Sequence, residues 1–305
     1  MKPSYIKLFE SGELDQRIDS LYRIVENCEL CPRKCHINRT GGETGYCRTG
    51  AQAVVSSMHP HFGEEDPLVG AERFPGVGGS GTIFMTYCNL GCVYCQNYDI
   101  SHLGHGRAMG IGDLAAGMMG LQKQGCYNIN FVTPTHFVPQ IAGAVKLAAL
   151  QGLNLPLVYN CGGYENPETV RLLEGIFDIF MPDIKYSDER ISRLYSNVPD
   201  YFARCREAVR EMHRQVGDLK LDSRGIAEKG LLIRHLVLPN DLAGSEEILR
   251  FLAEEISPHT YVNIMRQYRP AFKASEFSEL NRRPAGVEFQ KVFEKARELG
   301  LHRGF

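Results

Sequence analysis

From residue 82 onward the chain repeats one pattern: a short apolar run, then a longer stretch with apolar residues at helical spacing. The runs are 82–87, 128–133, 155–160, 177–184, 231–238 and 261–266. Helical stretches fall near 113–124, 138–151, 188–215, 244–256 and 286–299, with a shorter helix capped by Asn166 and opened by Pro167. Strands alternating with helices predict βα units around a parallel sheet. The strands read as apolar on both faces, as expected of a sheet covered on both sides. Six units fall short of the closed eight-stranded barrel. A doubly wound sheet would carry Gly-x-Gly-x-x-Gly after its first strand, and none is present. The glycines of Gly76-Val-Gly-Gly-Ser-Gly81 precede the first strand, and no Gly-Lys-Ser/Thr follows them, so they are not a phosphate cradle.

The first strand runs directly into Cys88-Asn-Leu-Gly-Cys92-Val-Tyr-Cys95. Three cysteines at spacings of four and three can converge from one tight loop. A structural zinc or ferredoxin-type centre needs four ligands. Three on a cubane cluster leave one iron open to a further ligand.

A second group lies upstream, after a predicted amphipathic helix over 1–26: Cys28-Glu-Leu-Cys31-Pro-Arg-Lys-Cys35-His36, then Cys47. Zinc is favoured by the Cys-x2-Cys knuckle, and an auxiliary iron–sulfur centre by the company of the other motif; both remain open. The stretch 48–75, with His59, His61 and several acids, reads as a Pro- and Gly-rich linker rather than a metal site. The expected organisation is therefore an N-terminal helix and Cys-rich metal-binding segment over 1–75, with the main domain over 76–305.

Composition bears on what to do with ten cysteines. No apolar run approaches the length of a membrane helix, and Met1-Lys-Pro-Ser-Tyr-Ile-Lys lacks a signal-peptide core, so a cytoplasmic location is expected. Thiols stay reduced there, which favours metal ligation over disulfides. A formal net charge of −2 gives no footprint for nucleic acid. Cys126 and Cys205 read as small buried hydrophobes, whereas Cys161 at a strand end is also a candidate hydrogen donor. The basic residues Arg266, Arg269, Lys273, Arg282 and Arg283 read as a solvated surface.

In a parallel barrel, chemistry collects at the carboxyl ends of the strands. Polar residues stand there: Thr133-Pro-Thr135-His136, Asn160-Cys161, Asp183-Ile-Lys185, Pro239-Asn240 and Gln267-Tyr268-Arg269. Arg234 lies inside an apolar run and needs a partner, for which a ligand carboxylate is preferred over an acidic side chain.

The cysteine motif, with Tyr94 before its last member, resembles the signature of the radical S-adenosylmethionine (SAM) superfamily. The segments Val158–Tyr164, Asp178–Lys185 and Ile233–Pro239, together with Cys28–Cys47, are similar to the branch of pyruvate formate-lyase activating enzyme-like proteins. The resemblance covers nearly the whole chain. It implies an α/β fold, specifically a partial (β/α)6 TIM-type barrel. It also implies a [4Fe–4S] cluster on Cys88, Cys92 and Cys95, and reductive cleavage of SAM to a 5′-deoxyadenosyl radical that abstracts hydrogen from a substrate. Carried over by position, Tyr94 lies against the adenine, Asp183 and Lys185 serve the methionine and ribose portions, and Arg234 faces the methionine carboxylate. Where the family has Gly-Gly-Glu this chain has Thr133-Pro-Thr135, so the two threonines are expected to supply oxygen acceptors, with Asn160 beside them. His136 is either a ligand or a core histidine. The implied partners are a reductant such as flavodoxin or ferredoxin and, as one option, a protein or peptide substrate, with a glycine of a partner protein as one target. Radical modification of another peptide, protein or small metabolite is the alternative reaction, and a non-enzymatic iron–sulfur electron carrier the alternative class.

Overall fold

The computed structural model describes residues 2–70 and 78–305. The expected domain boundary at 75/76 and the start of the glycine-rich stretch lie outside the described residues.

In chain order the elements are α1 (Ser4–Ser11), α2 (Glu13–Glu26), β1 (Ala53–His61), α3 (Asp66–Val69), β2 (Ser80–Met85), α4 (Tyr98–Ser101), β3 (Arg107–Met109), α5 (Ile111–Lys123), β4 (Asn128–Val132) and α6 (Val138–Leu150). There follow β5 (Leu157–Cys161), α7 (Pro167–Leu172), β6 (Ile179–Pro182), α8 (Glu189–Ser196), α9 (Tyr201–Val216), β7 (Lys220–Leu221), β8 (Ala227–Leu236), α10 (Ser245–Phe251), β9 (Tyr261–Met265) and α11 (Gly286–Glu298). The expected helix over 1–26 is two helices, because Gly12 adopts a left-handed φ of 78° and its N–H caps the Phe9 carbonyl. The region 188–215 also breaks in two, at Asn197, which is left-handed with φ 54°. The cap on α7 forms as expected: the Asn166 side chain accepts from the Glu168 N–H.

The six expected strands are β2, β4, β5, β6, β8 and β9, and they pair in that order, all parallel. The sheet is nevertheless mixed. β1 pairs antiparallel with β2, β3 antiparallel with β1, and β7 antiparallel with β8. Residues 53–61 are thus a sheet strand and not the expected linker. Pro60 is tolerated there because β3 covers only Ala53–Val55, and among the described residues no other strand pairs with that side of β1.

Alternation along each strand sorts the side chains onto two faces. The outer set includes Ile83, Ile129, Phe131, Tyr159, Phe180, Leu231 and Ile233, and shares one core with the helices. The inner set differs from the sequence expectation of two apolar faces. Val158, Ile179, Met181 and Leu232 form a small separate core with Leu68 of α3. The same strands also carry polar residues: Thr82 opposite Asn130, Asn160 two positions further along β5, and Arg234 opposite Asn263.

The turn after β1 crosses to the other end of the sheet. Asn263 Nδ2 of β9 donates to Glu65 Oε1 at 2.8 Å, and Arg234 of β8 lies 3.5 Å from Glu64 Oε2. Asn128 Nδ2 donates to the Leu68 carbonyl at 2.9 Å, which fixes α3 against the strands. Leu68 is fully buried in the inner core. Leu68→Ala should lower the unfolding free energy by about 2–5 kcal/mol. A urea titration showing a loss below about 1 kcal/mol would mean that the site collapses and that α3 is not a plug.

Candidate active site

At the carboxyl ends of the parallel strands lies a cavity of about 230 Å³. Its lining includes Cys88, Cys92, Cys95, Thr133, Asn160, Asp183, Lys185 and Arg234. Residues spread over nearly 150 positions of sequence meet there because they follow, or lie near the carboxyl ends of, five strands of one sheet: β2, β4, β5, β6 and β8.

The cysteine loop is anchored from the far side. The Gly91 and Val93 N–H groups donate to the Ser196 and Tyr195 carbonyls of α8, at 3.1 and 2.8 Å. The sulfurs receive hydrogen bonds: the Leu90 N–H donates to Cys88 Sγ (3.3 Å) and Ser196 Oγ to Cys92 Sγ (2.9 Å), while Cys95 Sγ shares one with Ser101 Oγ (3.1 Å). Burial pushes the Cys88 and Cys92 thiols up from their ordinary range, Lys185 partly opposing it. Tyr94 is buried and meets Tyr186 and Tyr268 edge-on, at 6.3 and 5.7 Å between ring centroids, with the cavity on another side.

Asp183 is the hub of the charged residues. Lys185 Nζ donates to its Oδ2 at 2.6 Å and Arg234 Nε to its Oδ1 at 2.7 Å. Although burial opposes ionisation, Arg234 and then Lys185 hold its carboxyl down at about 2. The same contacts raise the pKa of both cations against the opposing effect of burial. Arg234 also donates to Asn160 Oδ1 at 2.7 Å. The partners of Arg234 are therefore acidic and amide side chains of this chain, where the sequence reading preferred a ligand carboxylate. Glu64 belongs to the same group; burial, only partly offset by Arg234, raises it to about 7. It went unnoticed in the sequence because it lies in the stretch read as linker.

Thr133 lines the cavity with φ 59°, an uncommon and strained conformation for a β-branched residue, held by its N–H bond to the Asn160 carbonyl (2.8 Å). Thr135 does not line it. Its hydroxyl donates to Glu165 Oε1 at 2.7 Å, and Tyr159 OH donates to the other oxygen at 2.9 Å. Gly163, which follows in the same turn, has φ 80°, and a Cβ there would collide with the Asp183 carbonyl. His136 is a buried histidine whose Nε2 bonds the Thr86 carbonyl, and burial drives its pKa down to about 3.

The four upstream cysteines Cys28, Cys31, Cys35 and Cys47 line another, much smaller cavity of about 10 Å³ with Arg33, Arg39, Asn89 and His136. Among the described residues, no three His, Cys, Asp or Glu side chains are gathered as ligands of a single ion.

A model of the radical SAM superfamily matches residues 82–218, from β2 to just past α9. An uncharacterized protein of Methanocaldococcus jannaschii is 30% identical over 297 residues, spanning 94% of this chain and 79% of that protein. Residues 82–218 form a radical SAM superfamily domain. Among solved structures, SuiB of Streptococcus suis, bound to precursor peptide SuiA, shares the fold with a TM-score of 0.50 at 12% identity, over 74% of this chain and 46% of that one. A radical SAM methyltransferase from Sphaerobacter thermophilus gives a TM-score of 0.49 at 14% identity, over 76% of this chain and 66% of that one.

A radical SAM domain implies a [4Fe–4S] cluster and SAM. The donor set fits both. A cubane places each cysteine on a separate iron, so its thiolates need not crowd as single-ion ligands do. The adjoining carboxylate and cations suit the zwitterionic methionine end of SAM. Among the described residues, no helix is long and apolar enough to cross a membrane.

Glu165 is fully buried, has no cation among its contacts, and is raised to about 7 chiefly by burial. Its folded pKa exceeds its unfolded value, so the native state holds the extra proton between the two. Stability should therefore fall as pH rises from the ordinary glutamate range through 7. In Glu165→Gln, the drop in melting temperature between pH 5 and pH 8 should shrink; an unchanged drop would place the titration elsewhere.

Proposed function

We propose that this chain cleaves SAM reductively at a [4Fe–4S] cluster held by Cys88, Cys92 and Cys95, yielding a 5′-deoxyadenosyl radical that takes a hydrogen atom from a substrate. The supporting observation is that one cavity gathers these three thiols with Asp183, Lys185, Arg234, Asn160 and Thr133. Each residue has a definable task. Asp183, kept ionised by two cations, remains an acceptor for an ammonium group across the neutral range. Lys185 spends one donor on Asp183 and has two left for a carboxylate. Phe84, Leu90, Tyr94, Leu236 and Met265 supply apolar wall, which limits water around a reactive radical.

The resemblance to activating enzymes supports a glycine of a partner protein as hydrogen donor. The departure at Thr133-Pro-Thr135 supports another peptide, protein or small metabolite. In either case the electron comes from a one-electron reductant of the flavodoxin or ferredoxin type. The upstream thiols lie in a different cavity.

Anaerobically reconstituted, reduced protein should form 5′-deoxyadenosine from SAM. The Cys88/Cys92/Cys95→Ala variant should form none, and Lys185→Met should raise the concentration of SAM required. Cluster-loaded wild type that forms no 5′-deoxyadenosine, with a reduced-cluster magnetic resonance spectrum indifferent to SAM, would leave the electron-carrier class in its place.

A further inference from the structure

We propose that Cys28, Cys31, Cys35 and Cys47 hold a metal centre of net negative charge, with Arg39 as its buried counter-ion. The first observation is convergence of chain. The Cys28 N–H bonds the Ile37 carbonyl and the His36 N–H bonds the Cys28 carbonyl, at 2.9 and 3.1 Å, folding 28–37 back on itself. Tight turns follow at Cys31–Lys34 and Gly45–Arg48, with 3.0 and 2.9 Å bonds. All four thiols consequently line one cavity. Gly45 passes so close to Cys35 that a Cβ would lie 2.8 Å from its Sγ.

The second observation is independent of the cysteines. Arg39 is only 1% exposed, and its Nη2 donates to the Gly50 carbonyl at 2.9 Å. Its Nε and Nη1 are buried without a hydrogen-bond partner, and among the described residues Arg39 forms no ion pair. Arg33 has a buried Nη2 in the same condition, although its Nε donates to the Asn89 carbonyl at 3.0 Å. A guanidinium does not lose its proton in a protein, so burying it unpaired is expensive. Both arginines line the four-cysteine cavity, and neutral thiols do not balance them.

A thiolate-bound metal does. Four thiols that release four protons to solvent on binding a dication leave two negative charges on the assembly. The arithmetic is the same for Zn²⁺ and for a [4Fe–4S]²⁺ core, and no electron is transferred in either case. The small cavity suits a single ion with less rearrangement than a cluster.

The centre is independent of SAM cleavage and can be tested without it. In the full chain carrying Cys88/Cys92/Cys95→Ala, isolated without oxygen, metal analysis should find about one zinc, or about four irons with as many sulfides, per chain. The further change Cys31/Cys47→Ser should abolish this content. In the same background Arg39→Gln should weaken metal retention against a chelator by roughly 10–100-fold, with Arg39→Lys restoring most of it. Absence of both metals after exposure to zinc alone and to iron with sulfide would overturn the proposal. Unchanged chelator competition in Arg39→Gln would overturn the role given to Arg39. Neither result bears on 5′-deoxyadenosine formation by the intact cysteine loop.

Discussion

A buried carboxylate between two buried cations holds the mouth of this sheet together. Asp183 follows β6, Arg234 lies within β8, Asn160 within β5, and Lys185 two residues beyond Asp183; their side chains form one bonded set. Buried charge is tolerated only when paired with good geometry, so these strands must keep their order and register for the set to exist. The cavity inherits its shape from that requirement. Polar groups on the inner face therefore serve the architecture and line the cavity together.

The N-terminal quarter of the chain is built into the same body. β1 extends the sheet, the turn after it meets β8 and β9, and α3 puts Leu68 into the inner core. The two cysteine groups are also neighbours through the backbone. Arg33 from the upstream loop bonds the carbonyl of Asn89, the residue after Cys88, and the Asn89 side chain bonds the Tyr164 carbonyl. One direct contact, the Arg33 bond to Asn89, therefore joins the upstream loop to the segment that carries the first thiol of the radical SAM motif.

Much of this was legible in the residues. The six parallel strands were readable because buried strands are short apolar runs separated by helical spacing, and the α7 cap because Asn before Pro has a specific local use. The stretch 53–61 was not readable as a strand. Its burial alternates weakly, and Pro60 argues against pairing until one sees that β3 covers only Ala53–Val55. The polar residues among these strands escaped notice for a similar reason. Asn130 and Asn263 sit in largely apolar runs, and only strand pairing sets Asn130 opposite Thr82 and Asn263 opposite Arg234.

The linear sequence by itself determined the cysteine motif, the helix–strand alternation and the polar strand ends, since these depend on local spacing and backbone preference. Tertiary structure decided which polar residues meet. It gave Arg234 an internal carboxylate, committed Thr135 to Glu165 and left Thr133 at the cavity. It also put the uncompensated guanidinium of Arg39 beside four thiols. Pairing of buried charge is a property of three-dimensional proximity, and no period or spacing along a chain encodes it.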